Sequence, residues 1–466
     1  MENLNFKDKL NFNEFPPISL EEWEEVIESD LKGKDYKDVL QWRSGEGVNV
    51  LPFYRKEHLK DLKQNLVSVR TSASWDIIEP ITDTDPEKAN ELALHTLRNG
   101  STGLYFDLHS DTISSKEDLE LLLRDIKIEF ITLKFGPALS NPGIVQWLHT
   151  ICDDRDILNG KLNIYFSFDP FSSAIRSGKL LDLDNIQKIW SKTGDLFSFM
   201  VTDSSVYANS GATIVQQIAF ALAAGNEFLG MNEKNAQKLY FNFASGPTYF
   251  PEIAKFRAFH LMWAQILKEY GIQEADTPVH SETAYWNKSK TDAHNNMLRA
   301  TTEAMSAALA GCNVITVHPY NAHFEEPSGF SSRIARNIQL ILQEEAYLDK
   351  VADPGAGSYY IEVLTNKIAE ESWKLFQETE AKGGFYKCLK EGFIQDEITR
   401  SRKEKISAYK EKEKVLVGVN KYQPDEIQHS KPTIQNFEFE FSDFSFINIQ
   451  NIEPLNIEAE LQKGDA

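Results

Sequence analysis

The stretch LYFNFASGPTYFPEIAKFRAFHLMWAQILKEYGIQEADTPVHSET, residues 239–283, decides the fold. Its first seven residues form a short aromatic run suited to a strand. Pro251 then suits a first helical turn, and Phe256, Phe259, Trp263, Ile266 and Leu267 recur along one helical face. TPVHSET (277–283) is strand-like again. Strand, amphipathic helix and strand make a βαβ unit, which implies parallel strands with the helix packed on the sheet.

Working outward, the same alternation extends from residue 66 to residue 317. The remaining strand-like runs are LVSVR (66–70), TGLYFDL (102–108), FITLKF (130–135), LNIYFSFD (162–169), LFSFMVT (196–202) and NVITVH (313–318). Eight strands with helices between them predict an α/β protein, a (β/α)8 TIM barrel. Residues 1–60 read as an N-terminal arm, residues 61–397 as the barrel, and residues 398–466 as a charged helix followed by a short acidic C-terminal tail that wraps or frays. In the helix around 334–342, Ile334, Ile338, Ile341 and Leu342 follow the apolar stripe while Arg333, Arg336 and Gln339 fall elsewhere on the wheel.

The chain has 466 residues, 41% of them hydrophobic, enough for one large core of roughly 250–350 residues plus appendages. Its net charge of −21 argues against nucleic acid or an anionic membrane as partner. Cys152, Cys312 and Cys388 lie far apart with no CxxC spacing, so they read as reduced structural thiols. The N-terminus carries no apolar core of signal-peptide length, and no later run approaches about 18 apolar residues, so a cytoplasmic location is expected.

Seven colinear blocks resemble one family. They are KGKDYKDVLQWRSGEGVNVLPFYR (32–55), EIAKFRAFHLMWA (252–264), NNMLRATTEAMSAALAG (295–311), FSSRIARNIQLILQEE (330–345), DKVADPGAGSYYIEVLTNKIAEESW (349–373), FQETEAKGGF (376–385) and VGVNKY (417–422). Over roughly residues 30–422 the chain resembles the methylmalonyl-CoA mutases. The resemblance implies a barrel through whose centre an acyl-CoA thioester passes, with the corrin ring of adenosylcobalamin closing one end. Such enzymes interconvert methylmalonyl-CoA and succinyl-CoA by radical rearrangement, the cofactor supplying the radical.

The chain departs from the family pattern where that chemistry resides. The family's cobalt-ligating Asp-x-His-x-x-Gly has two partial echoes here. Asp107-Leu108-His109 is followed by Thr112 and Asp292-Ala293-His294 by Met297, so neither carries the glycine. Alignment on Gly211-Ala212 puts Val206 at the family's catalytic His, and a valine cannot donate a hydrogen bond. The family Trp survives as Trp75, but the Tyr five residues before it is Arg70. On the seventh strand Pro278 and Glu282 replace Arg and Gln, and an added carboxylate is unhelpful to an anionic CoA ester.

Together these departures resemble the small, non-catalytic subunit of heterodimeric bacterial methylmalonyl-CoA mutases. That resemblance implies no catalytic residue and no cofactor bound by this chain. Such a subunit often keeps a degenerate C-terminal domain, and the short tail here, with no flavodoxin-like cobalamin domain expected, is a further departure. Adenosylcobalamin is then expected in a partner large subunit, contacted through the N-terminal arm and outer barrel helices. The alternative is the catalytic barrel of a split acyl-CoA mutase served by a separate cobalamin-binding chain. A third reading, a transient chaperone-like partner, has no P-loop to support it. His280, Glu282, Asn295, Asn296 and Arg299 either line the C-terminal mouth of the barrel or satisfy one another in a buried polar network, and the network is preferred. His260 and His318 read as ordinary structural histidines, and Asp353–Ser358 as a turn in preference to a phosphate cradle.

Overall fold

The computed structural model describes residues 16–60, 62, 73–108, 112–137, 142–157, 162–191, 197–273, 277–424 and 445–463. Eight parallel strands form its centre: β1 (Asp76–Ile81), β2 (Gly103–Phe106), β3 (Thr132–Phe135), β4 (Asn163–Phe166), β5 (Met200–Asp203), β6 (Leu239–Ser245), β7 (Val279–Thr283) and β8 (Val314–Thr316). They pair in the order β4, β3, β2, β1, β8, β7, β6, β5. A parallel bridge between Tyr165 on β4 and Ser198 ahead of β5 joins the two edges. Ser198 N–H donates to Ile164 O at 3.1 Å and Phe166 N–H donates to Ser198 O at 2.9 Å, so the sheet closes into the expected barrel.

The first strand is the exception to the sequence reading. LVSVR (66–70) lies outside the described residues, and the strand beside β2 and β8 is DIIEPI (76–81). Glu79 and Pro80 hide it, because proline is rare within a sheet. Pairing with β8 stops at Ile78, so Pro80 interrupts no ladder on that side.

Side chains alternate along each strand. The outward set, including Ile77, Leu104, Phe106, Leu133, Phe135, Ile164, Phe166, Phe241 and Phe243, is buried under the helices in one large apolar cluster. The main helices are α1 (Leu20–Asp30), α2 (Ser205–Ser210), α3 (Ile214–Met231), α4 (Tyr249–Glu269), α5 (Asn295–Ala310), α6 (Gly329–Glu344), α7 (Tyr359–Ala381), α8 (Phe393–Lys410) and α9 (Ile457–Gln462). On α4 the predicted stripe is buried, with Phe259 and Trp263 set 4.6 and 4.8 Å from the Phe241 ring. No helix among the described residues is long and apolar enough to cross a membrane.

The family-like blocks are joined to one another by buried polar contacts. Arg257 on α4 pairs with Asp353 and, at 2.8 Å, with Glu362 on α7. Glu362 also accepts from Gly357 N–H at 2.9 Å, so the Asp353–Ser358 segment is a structural turn. On α6, Arg336 and Gln339 sit on the buried face and Ile341 is 48% exposed, a correction to the wheel reading. The reason lies on β1 and the residue before it: Arg336 meets buried Glu79 at 2.7 Å, and Gln339 accepts from the Trp75 indole at 3.2 Å.

The charged helix and the tail are also more integrated than their composition suggests. On α8, Ile394, Ile398, Ser401, Lys405 and Tyr409 are buried at helical spacing, so only the opposite face is solvated. In the tail, Phe446–Asn448 pairs antiparallel with Lys179–Leu181. Ile452, Leu455 and Ile457 are then buried where the chain runs into α9.

Candidate site at the barrel axis and mouth

Residues facing the axis follow from strand register. Tyr105, Lys134 and Tyr165 are neighbours on β2, β3 and β4, as are Val201 with Tyr240 on β5 and β6, and Asn242 with His280 on β6 and β7. Several of them touch across non-adjacent strands, which is possible only through the lumen. The Tyr165 ring lies 4.5 Å from His280 and 5.1 Å from Tyr240, and Tyr240 lies 4.6 Å from His280. Lys134 Nζ donates to Asn242 Oδ1 at 3.3 Å and sits 4.8 Å from the Tyr105 ring centre, a cation–π contact. Lys134 is 3% exposed and His280 1%. Three tyrosines, a lysine and a histidine therefore occupy the space along the axis.

Carboxylates ring the level above. Asp203 Oδ1 accepts from Asn242 Nδ2 at 2.8 Å and from Ser205 Oγ at 2.6 Å. Glu282 lies 3.6 Å from His318 Nε2, and Arg176 donates to the Tyr285 hydroxyl at 2.9 Å. Burial opposes a charge on Glu282, but His318, Lys134 and Ser205 outweigh it and hold the carboxyl at about 2. Burial raises Asp203, and the Glu282 charge adds to that. Neither ring nitrogen of His280 has a hydrogen-bond partner. Burial first, and the Lys134 charge second, push His280 well below its ordinary range, so it is neutral at pH 7.

The predicted cluster divides in two. His280 and Glu282 belong to the axis and mouth, whereas Asn295, Asn296 and Arg299 form a separate network at the start of α5. Asn296 donates to Ser289 O at 2.7 Å and Tyr320 O at 3.0 Å, and accepts from Ser289 N–H at 3.0 Å and Arg299 Nη1 at 2.7 Å. Arg299 Nη2 reaches Val417 O at 2.6 Å, tying this block to VGVNKY (417–422). Asn295 donates to Asp292 at 2.5 Å.

Val206 lies on α2, just beyond β5, 3% exposed within the main apolar cluster. Arg70 and His109 lie outside the described residues. Asp107 is half-buried at the mouth, where desolvation raises its carboxyl. The His294 ring lies tilted against Tyr320, with 5.3 Å between ring centres. Among the described residues no group of His, Cys, Asp and Glu is arranged to hold a metal ion.

The mouth itself is roofed. Ala208, Ala244, Ala284, Trp286, Tyr409, Leu416, Val419, Leu455 and Ile457 form a separate apolar cluster over it. Lys405 of α8 lies 4.3 Å from the Trp286 ring centre and donates to Ala212 O at 3.3 Å. Beneath, Glu46, Gln217, Glu252, Lys405 and Trp286 line a cavity of about 10 Å³, room for one water molecule.

Sequence reading had not singled out Tyr105, Lys134, Tyr165, Tyr240, Asn242 or Asp203. The available signal was a lysine in the middle of FITLKF and a tyrosine at the inward position of three runs, read as ordinary strand residues.

Comparisons with known proteins bear on this arrangement. A family model described as methylmalonyl-CoA mutase matches residues 112–452. The methylmalonyl-CoA mutase small subunit of Porphyromonas gingivalis is 36% identical, over 97% of this chain and 76% of the relative. The methylmalonyl-CoA mutase of Cereibacter sphaeroides is 31% identical over 86% of this chain, which spans 64% of that relative's length. A small subunit from Streptomyces virginiae is 26% identical over 88% of this chain and 71% of the relative.

Proposed function

From the premise that the chain belongs to the methylmalonyl-CoA mutase family, we propose that it is the small, non-catalytic subunit supporting a catalytic large subunit. The single observation that carries this reading is the filled axis. A thioester threaded through the barrel would need the volume held by Tyr105, Lys134, Tyr165, Tyr240 and His280, whose packing is close. That two of its relatives are small subunits supports the same reading.

Adenosylcobalamin belongs to the partner in this account. Among the described residues the cobalt-motif echo does not fit a cobalt site: Met297 stands where the motif has its glycine, the His294 ring packs against Tyr320, and Asp292 is engaged with Asn295. No step of the isomerisation is assigned to this chain.

The N-terminal arm is the proposed contact with the large subunit. Helix α1 buries none of its residues, yet Trp23 and Val26 are 45% and 60% exposed, and Val39, Leu40 and Trp42 are exposed nearby. Exposed aromatic and aliphatic residues of this density mark an interaction surface. Two homologous barrels meeting through such arms reproduce pseudo-twofold contacts without requiring chemistry on both sides.

Co-expression with a longer homologue that carries the barrel His and the Asp-x-His-x-x-Gly motif tests the proposal. A stable one-to-one complex, with no acyl-CoA binding by this chain alone in calorimetry, is expected. Tight binding of an acyl-CoA by the isolated chain would instead favour the catalytic barrel of a split mutase.

A further inference from the structure

The C-terminal segment 445–463 does more than cover apolar surface. Its Glu458 carboxylate is 6% exposed and lies in the loop that follows β7. Ser289 Oγ donates to Oε1 at 2.9 Å, Thr291 N–H to Oε1 at 3.0 Å and Lys290 N–H to Oε2 at 2.7 Å. Two successive backbone N–H groups and a hydroxyl converging on one carboxylate make a concave oxyanion nest. The loops after the seventh and eighth strands are where barrels of this kind commonly hold an oxyanion. Here that position is filled by the chain's own side chain.

A second set of contacts places the same segment over the mouth. Leu455 N–H donates to Asn209 O at 2.7 Å and Ile457 N–H to Trp286 O at 3.0 Å. Asn456 Nδ2 donates to Lys288 O at 3.2 Å, and Arg402 pairs with Glu460 at 3.3 Å. Leu455 and Ile457 seal the apolar cluster around Trp286, which also lines the water-sized cavity.

We propose that residues 445–463 are a latched strap in which Glu458 acts as an internal oxyanion ligand of the Ser289–Thr291 nest, so that releasing the latch uncovers Trp286 and the mouth of the barrel. The nest is an oxyanion site in its own right, for a carboxylate or a phosphate. The strap excludes such ligands by occupying it. The strap is held by polar contacts at its end, a short strand pair at its start and three buried apolar anchors between, Ile452, Leu455 and Ile457, so loss of one buried carboxylate frees its end without unfolding the barrel.

The test uses the full chain with Glu458→Ala, and Ser289→Ala as a milder variant that removes one donor. Hydrogen exchange resolved to single amides is the readout. In Glu458→Ala, the amides of Leu455 and Ile457 exchange at least roughly tenfold faster while β6 and β7 stay as protected as in the native chain. Ser289→Ala shows the same pattern more weakly. Inorganic phosphate then slows exchange at Lys290 and Thr291 in Glu458→Ala, and changes nothing in the native chain. Unchanged protection at Leu455 and Ile457 in both variants would overturn the latch, as would faster exchange spread through the whole barrel. Failure of phosphate to protect Lys290 and Thr291 in a chain whose strap is free would overturn the oxyanion nest.

Discussion

The shell of the barrel and its axis differ in what they keep of the family. In the shell, charge pairs tie the recognisable blocks to one another and to the barrel: Arg257 joins two blocks through Asp353 and Glu362, Arg336 reaches Glu79 on β1, and Glu303 reaches Lys288 in the loop after β7. Along the axis, bulky polar and aromatic side chains touch across the lumen where a substrate of the family would lie. The difference teaches that the family-like blocks of this chain carry the shape of the barrel, whereas the inward positions decide how much room its axis leaves.

Breaking the shell has the largest expected effect. Arg257→Ala strands Asp353 and Glu362 without their shared partner and is expected to cost about 3–5 kcal/mol, read as a lower urea midpoint. A loss under about 1 kcal/mol would mean the shell pairs are not what joins the blocks. Opening the axis comes next. Tyr165→Ala or Tyr240→Ala is expected to cost about 3 kcal/mol by leaving a cavity, and to leave a folded chain without mutase turnover. Turnover gained by emptying the lumen would show that the axis had been the only obstacle.

A smaller effect is tied to pH. His280 is held neutral in the fold, below its ordinary range, whereas unfolding returns it to the ordinary value of about 6.5. Below that pH the unfolded chain binds the extra proton, so stability falls as pH drops, by up to about 1.4 kcal/mol per pH unit from this group. His280→Phe flattens the slope between about pH 6.5 and 5 in unfolding measurements, and an unchanged slope would assign it elsewhere. The smallest stability change is expected at Trp23. Its replacement by alanine alters stability by no more than about 0.5 kcal/mol, while weakening the complex with a large subunit at least roughly tenfold. Equal affinity by calorimetry would remove the arm from the interface.

Much of this contrast was legible in the sequence. The strand and helix periods of 239–283 gave the βαβ unit, and the blocks gave the family, because periodicity and local motifs are properties of contiguous residues. β1 escaped because Glu79 and Pro80 suit a strand only beside Arg336 and a β8 that ends early. Arg336 and Gln339 escaped for the same reason: a polar residue belongs on a buried face only if its distant partner is known. The lumen contacts of Lys134 and His280 join residues far apart in the chain, so no local reading could place them together. The strap escaped because a polar, acidic composition describes its exposed residues and says nothing of Leu455, Ile457 and Glu458.

The most direct test of the central claim is isomerisation of methylmalonyl-CoA by the isolated chain supplied with adenosylcobalamin and, separately, by its complex with a large subunit. The account predicts no turnover by the isolated chain and full turnover by the complex, with the rate unchanged when His280 or Glu282 of this chain is replaced in a variant that still assembles. Turnover by the isolated chain would contradict it.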